Sequence, residues 1–250
     1  MSLATARPCA ACRNGDALDF EFSMAFQPIV DWRNRSLFAY EALVRGVDGS
    51  GAAEVMGKVN AKNRYAFDQA CRIKAVELAA RLNMPCLLSI NFLPNAVYQA
   101  ATCIRATLEA ARRFNFPTEQ IIFEITEGEE LQDKAHLTDI VTEYRRHHFK
   151  TAIDDFGAGY SGLNLLAEFQ PDVIKLDMAL IRHIDQNPVR QAIVRGIVGV
   201  CQELNIDVIA EGIETREELE YLLSIGVYLF QGYLFARPAF EALPEVSWPY

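Results

Sequence analysis

The sequence predicts an α/β protein, a modified TIM-type (β/α)8 barrel whose first strand runs antiparallel to the others. Strand-like and helix-like segments alternate along the chain, which is typical of parallel strands joined by right-handed crossovers. Eight strand-like segments lie between residues 20 and 243, and this number and length favour a closed barrel over an open sheet. No G-x-G-x-x-G motif follows an early strand, which disfavours a dinucleotide-binding fold.

The elements can be assigned in chain order. The apolar segments SMAFQPIVD and SLFAYEALV flank the polar turn WRNR and predict an antiparallel hairpin. A long helical stretch is predicted over about 52–82, followed by the strand CLLSIN. Helices are then predicted at 96–113, 130–148, 163–169, 188–204 and 216–225, each followed by one of the strands IIFEIT, TAIDD, VIKLD, DVIAE and YLFQG. A C-terminal helical piece is predicted to close the chain.

Composition restricts the classes of partner. The chain has 250 residues, of which 51% are hydrophobic, enough for one large core. Its net charge of −9 would repel a polyanion, so we expect no DNA or RNA polymer as a partner. A small phosphorylated ligand bridged by metal remains compatible with this charge.

The sequence predicts neither a membrane span nor a signal peptide. The most apolar region, 193–210, is interrupted by Arg195, Glu203 and Asp207, so it falls short of a spanning helix. The first residues lack the apolar segment of a signal peptide, and we expect a soluble, cytoplasmic protein.

We expect residues 1–19 to form a flexible tail ahead of a single domain at 20–250. Cys9 and Cys12 form an isolated C-x-x-C in this tail. No second pair follows at zinc-site spacing, so two thiols in a flexible segment are the favoured interpretation.

Polar residues interrupt the apolar strands near their carboxyl ends. They are Glu41, Asn91, Glu124, Asp154, Asp155, Lys175, Glu211 and Gln231. Any one of them could be a helix cap or a turn residue. In a barrel, however, these ends meet at one mouth, so all eight would be neighbours. Five crowded carboxylates would raise one another's pKa unless a cation neutralised them, and the cluster therefore predicts a metal site.

The donor atoms indicate which metal. Glu41, Asn91, Glu124, Asp154 and Asp155 all offer oxygen, which suits Mg²⁺ or Mn²⁺ rather than zinc. Asp154 could bridge two ions while Asp155 binds the second. Adjacent strand residues normally point to opposite faces, so both can reach the mouth only if the strand ends there.

Lys175 has three interpretations. It could form a structural ion pair with Asp177 or Glu211, act as an imine-forming nucleophile, or orient an attacking water beside the metals. A carboxylate cage would keep it protonated and favours the water-orienting role over the imine. Glu211 is the candidate that accepts a proton from that water, and a metal ligand acting through water is an almost equal alternative.

The ordered motifs resemble those of the EAL-domain family of cyclic-di-GMP phosphodiesterases. The eponymous tripeptide begins at Glu41 and is extended by Arg45. The segments SINFLP, FEITE, DDFGAGYSGL, IKLD, AEGIE and QGYLFARP follow in order, and together they cover nearly all of residues 20–243. A lone E-A-L would carry no weight, whereas the ordered combination is highly specific.

The resemblance implies a role for each matching residue. It implies that Glu41, Asn91, Glu124 and Asp154 bind a first metal ion and that Asp154 with Asp155 binds a second. Lys175 matches the lysine that holds the nucleophilic water, Glu211 matches the general base, and Gln231 matches a residue lining the metal and water site. The implied ligand-contacting positions are Gln27, Leu43, Arg45 and Pro94. Glu127 matches the anchor of the loop after the paired aspartates, which in the family couples the dimer interface to the metals.

Two departures from the family pattern accompany these matches. Gly46 stands where a tryptophan is frequent, which predicts weaker ligand contact, and Gly162 replaces a second serine, which predicts a more mobile loop. The implied product is linear 5′-pGpG, and a homodimer is expected from the resemblance alone. Two alternatives stay open: a receptor of the same fold without turnover, and an unrelated barrel enzyme that uses Lys175 as an amine.

Overall fold

The computed structural model describes residues 18–94, 97, 100–126, 134–159 and 162–249. The strands are β1 (Phe22–Asp31), β2 (Ser36–Gly46), β3 (Leu87–Asn91), β4 (Ile121–Thr126), β5 (Lys150–Phe156), β6 (Val173–Leu176), β7 (Asp207–Ala210), β8 (Leu229–Gln231) and β9 (Ala239–Phe240). The helices are α1 (Ala52–Met56), α2 (Arg64–Arg81), α3 (Ala100–Arg113), α4 (Lys134–Arg146), α5 (Gly162–Glu168), α6 (Met178–Ile181), α7 (Pro188–Leu204) and α8 (Arg216–Ser224).

The strands close into a ring, which confirms the predicted barrel. Strands β2 to β8 are parallel neighbours in chain order. Strand β1 pairs antiparallel with both β2 and β8 and so completes the closure. The short β9 pairs with the part of β1 that precedes its pairing with β8, and here Ala239 pairs with Phe26.

An apolar floor fills the barrel interior below the polar residues. Its buried members are Ile29, Ala39, Ile122, Ala152, Val173, Ile209 and Leu229. Side chains two residues apart on a strand share a face. The position two residues after Ala39 is Glu41, and the positions two residues after Ile122 and Ala152 are Glu124 and Asp154. The polar cluster is therefore the next interior layer, directly above the floor.

Two helix predictions differ from the structure. The stretch 52–82 forms two helices, because Asn63 Oδ1 accepts the Asn60 N–H and the Asn63 amide donates to the Lys58 carbonyl, which fixes a turn between them. The predicted C-terminal helical piece is wrong within the described residues. Strand β9 and an irregular segment occupy that place, held by contacts of Glu241 with Ser23 and Arg81.

The predicted tail lies mostly outside the described residues, and Cys9 and Cys12 are among those not described. Leu18 and Phe20 already pack against the core. Across the described ranges, every helix is too short or too polar to span a bilayer.

Candidate active site

Lys175 occupies the centre of the polar layer. Its Nζ lies 2.7 Å from Glu211 Oε1, 2.9 Å from Asp154 Oδ1, 3.0 Å from Glu124 Oε2 and 3.4 Å from Glu41 Oε2. Only 1% of its side chain is exposed, so this ammonium and these carboxylates interact largely out of water. The structure thus supports an ion pair of Lys175 with Glu211 and adds three further acids.

Amide side chains orient Glu41. The Asn91 amide donates to Glu41 Oε1 at 2.9 Å, and the Gln231 amide donates to Glu41 Oε2 at 2.7 Å. The same Gln231 nitrogen lies 3.2 Å from Gln27 Oε1. Residues from β3 and β8 therefore meet at the Glu41 carboxylate of β2, and Gln27 of β1 contacts one of them, as the barrel closure requires.

Strand β2 extends beyond its acidic residue. Glu41 lies in the middle of β2 rather than near its carboxyl end, because β2 continues to Gly46 as the partner of β1. Its pairing with β3 ends at Ala42, so Glu41 still lies near the rim that the parallel strands define.

A bulge brings Asp154 and Asp155 to the same cavity. The β5–β6 register shifts between Ile153 and Phe156, and Asp155 has a left-handed φ of 53°. The strand continues to Phe156, so a local backbone distortion rather than the strand end turns both carboxylates toward the mouth. Gly157 follows with a φ of 96°, a conformation that favours glycine.

These side chains line a cavity of about 290 Å³ at the barrel mouth. Of the residues predicted from sequence, it is lined by Gln27, Glu41, Asp154, Asp155, Lys175, Glu211 and Gln231. Asp177, Glu214 and Tyr233 also line it, although the sequence did not single them out as site residues. Asp177 caps α6 by accepting the Ala179 N–H at 2.8 Å, which gives it a structural role of its own.

Ser89 is a site residue that the sequence analysis missed. Its hydroxyl donates to Glu124 Oε1 at 2.5 Å, and both residues are buried. Ser89 lies two residues before Asn91 on β3, and this same-face spacing is the signal that could have revealed it.

Lys175 stays protonated in this environment. Burial alone would lower its pKa, but the surrounding charges of Asp154, Glu124 and Glu211 raise the pKa well above its ordinary value. A protonated amine cannot attack a carbonyl, so this arrangement disfavours the imine-forming alternative.

Three of the acids hold protons more tightly than usual. Burial raises the pKa of Glu124 well above its ordinary value, although Lys175 opposes the shift. Burial raises the pKa of Glu211 to about 8 although Lys175 opposes the shift. Burial, together with the negative charge of Asp154, raises the pKa of Asp155 to about 6. Burial would also raise the pKa of Glu41, but Lys175 and the hydrogen bonds from Gln231 and Asn91 lower it.

The metal-free protein is therefore expected to lose stability as the pH rises from about 5 to 8. The raised pKa values of Glu211 and Asp155 mean that the folded state binds more protons than the unfolded state across this window, so the free energy of unfolding falls with pH. For Glu211 alone the loss by pH 7 is roughly 3 kcal/mol. Urea unfolding in EDTA at several pH values measures the free energy of unfolding. A free energy of unfolding that stays constant or rises from pH 5 to 8 would contradict the raised pKa values of Glu211 and Asp155.

The residues present fit a pair of hard cations. Carboxylate oxygens of Glu41, Glu124 and Asp154 lie within 4.8 Å of one another, and so do those of Asp154, Asp155 and Glu211. Among the described residues of the site, Gln231 Oε1 is buried without a hydrogen-bond donor, whereas the partner of Asp154 Oδ1 is the Lys175 ammonium at 2.9 Å. This all-oxygen donor set suits Mg²⁺ or Mn²⁺.

The other predicted ligand contacts lie away from this cavity. Leu43 lines a neighbouring apolar cavity of about 260 Å³, together with Asn91 and Leu93. Arg45 donates to the Val44 carbonyl at 2.7 Å, and Pro94 is buried in the segment after β3. Neither Arg45 nor Pro94 lines the two cavities as far as the described residues define them. Glu127 lies outside the described residues.

Gly46 is explained by the turn that follows β2. A Cβ atom at this position would lie 2.1 Å from Ser50 Oγ and 2.5 Å from Asp48 Oδ1. The Gly46 N–H also donates to the Ser50 carbonyl at 3.0 Å. A larger residue here would require the Ser50 and Asp48 side chains to move, and weaker ligand contact stays a prediction.

Fold and site together define a barrel protein with an acidic, cation-binding centre at the carboxyl ends of its strands. The EAL domain matches residues 12–238, and the chain belongs to the EAL-domain family. This finding confirms the resemblance inferred from the motifs.

The solved structures that are similar over most of the chain include two with a bound cyclic dinucleotide. A standalone versatile EAL protein from Vibrio cholerae O395, in its c-di-GMP-bound form, is 54% identical with a TM-score of 0.90, covering 92% of this chain and 98% of that one. Klebsiella pneumoniae BlrP1, in a manganese/cy-diGMP complex at pH 9.0, is 36% identical with a TM-score of 0.88, covering 94% of this chain and 61% of BlrP1.

Curated relatives include both an enzyme and a regulator. Escherichia coli K12 BluF, a blue light- and temperature-regulated antirepressor, is 34% identical over 226 residues, covering 90% of this chain and 56% of BluF. The cyclic di-GMP phosphodiesterase PdeR of the same strain is 33% identical over 225 residues, covering 85% of this chain and 33% of PdeR. The chain thus spans about half or less of the length of these two relatives.

Proposed function

We propose that the chain is a metal-dependent phosphodiesterase that hydrolyses cyclic-di-GMP to linear 5′-pGpG. The observation that carries the proposal is the interior layer beside an open cavity, in which Glu41, Glu124 and Asp154 surround Lys175 and Asn91 orients Glu41. Membership of the EAL-domain family and the ligands of the similar solved structures support cyclic-di-GMP as the substrate.

Two cations would be held by overlapping sets of residues. Glu41, Asn91, Glu124 and Asp154 would hold the first, and Asp154 with Asp155 the second. Asp154 lies both in the cluster with Glu41 and Glu124 and in the cluster with Asp155 and Glu211, which supports this division. When bound, two Mg²⁺ or Mn²⁺ ions would activate a water and stabilise charge on the attacking and leaving oxygens of a phosphodiester.

The chain's own residues would handle the proton and the water. Lys175, kept protonated by its acids, would donate a hydrogen bond that fixes the attacking water in the cavity. Glu211, whose pKa in the metal-free protein is raised to about 8, would accept the proton of that water from its deprotonated form. The water oxygen would bond to phosphorus as one P–O3′ bond breaks, and the released 3′ oxygen would take up a proton to give pGpG.

The acidity of the protein does not exclude an anionic substrate. The cations would supply local positive charge beside the cavity, so the net charge of −9 need not prevent binding. The cavity is lined by residues from Gln27 to Tyr233, which supports residues 20–250 as the catalytic unit. A homodimer stays a prediction.

Purified protein mixed with cyclic-di-GMP and MnCl₂ is expected to yield pGpG, followed by chromatography. Excess EDTA should abolish the reaction, and added Mn²⁺ should restore it, because the acidic layer needs cations to bind a phosphodiester. A receptor without turnover is the alternative favoured by the antirepressor relative. Binding of the dinucleotide without cleavage at any Mn²⁺ or Mg²⁺ concentration would establish that alternative in place of the enzyme.

A further inference from the structure

A second charged cluster lies outside the acidic layer, behind the barrel wall. Asp68 and Arg72 are one turn apart on α2 and form an ion pair whose side chains are 1% and 0% exposed. A pair at this spacing usually lies on a helix surface and contributes little to stability. A buried pair loses the hydration of both charges, so its burial alone is weak evidence that it stabilises the fold.

The hydrogen bonds of this pair reach the segment after β3. Asp68 Oδ2 accepts from Arg72, while Asp68 Oδ1 accepts the backbone N–H of Leu93 at 3.0 Å. Arg72 also donates to the Tyr144 hydroxyl at 3.3 Å and, through Nε, to the Asp68 carbonyl at 3.4 Å. The guanidinium thereby holds Asp68 in place, with one carboxylate oxygen left to hold Leu93.

Leu93 lies two residues after Asn91, whose amide orients Glu41 at 2.9 Å. The intervening Phe92 N–H donates to the Glu124 carbonyl at 3.1 Å. Strand β4 therefore fixes the backbone at Phe92, and Asp68 fixes it at Leu93. Asp68, Asn91 and Leu93 also line the same apolar cavity, which shows that the helix and the segment face each other directly.

We propose that Asp68, held by Arg72, is a positioning residue that fixes the segment after β3 and thereby sets the Asn91 amide for cation binding. The proposal rests on the proposed function, since it assigns Asn91 to the first cation. Asp68 itself contacts neither the cavity of the acidic layer nor Lys175 among the described contacts. Its effect would pass through the backbone at Leu93.

Two double variants separate positioning from stability. Asp68→Leu with Arg72→Met replaces the buried charges by apolar groups of similar size but removes the acceptor for the Leu93 N–H. Asp68→Asn with Arg72→Met also removes both charges but keeps an amide oxygen that can accept this N–H. The two proteins differ only at residue 68, between side chains of nearly equal shape.

Calorimetric titration with Mn²⁺, without substrate, is the primary measurement. We expect the leucine variant to bind Mn²⁺ at least about tenfold more weakly than wild type, as is typical when a support of a metal ligand is lost. The asparagine variant should bind within about threefold of wild type. Thermal unfolding of both variants checks that they are folded, and the Mn²⁺ dependence of kcat should follow the same order.

Equal Mn²⁺ affinity in the leucine variant and wild type would overturn the proposal. Equal weakening in both variants would also overturn it, because the Leu93 contact would not be the cause. If wild type binds Mn²⁺ without cleaving cyclic-di-GMP, only the proposed activity fails. The Mn²⁺ affinities of the two variants still test the positioning role of Asp68. If wild type binds no Mn²⁺, both the positioning role of Asp68 and the proposed metal-dependent activity are overturned.

Discussion

Asp154→Asn is expected to lower kcat for cyclic-di-GMP by on the order of a thousandfold. Asp154 belongs to both clusters of acids that could hold a cation, so one substitution weakens both proposed cation sites. Asparagine keeps the shape of the side chain and removes its charge. Turnover at saturating Mn²⁺, measured as pGpG formed per enzyme, gives the size of the effect.

The same variant should stay folded. Asp154, Glu41, Glu124 and Glu211 share one ammonium, and removing one negative charge relieves repulsion among the others. Asp172→Asn is a matched control, because Asp172 lies at the opposite end of the barrel, where it accepts the Thr151 N–H at 2.8 Å. Wild-type activity in Asp154→Asn, or an equal loss in the control, would remove Asp154 from the proposed metal set.

Lys175→Met is expected to reduce both activity and metal-free stability. Removing the ammonium leaves four carboxylates, three of them buried, without their cation, and breaking a buried pair in this way costs roughly 3–5 kcal/mol. Without Lys175 the acids hold protons more tightly when folded, so the loss of stability should be larger at pH 8 than at pH 6. Urea unfolding in EDTA at both pH values tests this.

Activity should fall by on the order of a thousandfold in the same variant, since the proposed water loses its donor. Added Mn²⁺ should recover part of the lost stability, because a divalent cation replaces the missing charge. Lys62→Met, at an exposed position, is the control for loss of a lysine. A stable, active Lys175→Met protein would exclude Lys175 from the site.

Borohydride trapping of wild type with a carbonyl compound should give no adduct at Lys175.

Strand order and the position of the polar layer could be predicted because both follow from local periodicity. Ile122 and Glu124, or Val173 and Lys175, differ by two positions, and this spacing alone places them on one face. Closure of the barrel then brings strands that are distant in sequence together, so no other sequence signal is needed to predict that their polar residues meet. The family motifs fall on these same positions, which explains why the residues and the resemblance agree.

Features that depend on tertiary contact could not be predicted. The segment AFEAL is rich in helix-forming residues, yet strand pairing of Ala239 with Phe26 and the contacts of Glu241 override that preference. The bulge at Asp155 carries no clear sequence signal beyond the glycine that follows it. Asp68 and Arg72 have the spacing of an ordinary surface pair, and only the fold shows that they are buried.

The reversed direction of β1 determines where an attached polypeptide would leave the barrel. Phe22 begins this strand opposite Gly46, the last residue of β2, so the amino end of the ring lies on the rim that carries the acids. In an all-parallel barrel the first strand would start at the far end instead. A polypeptide joined ahead of β1 would therefore enter the ring from the rim that carries the acids rather than from the opposite end.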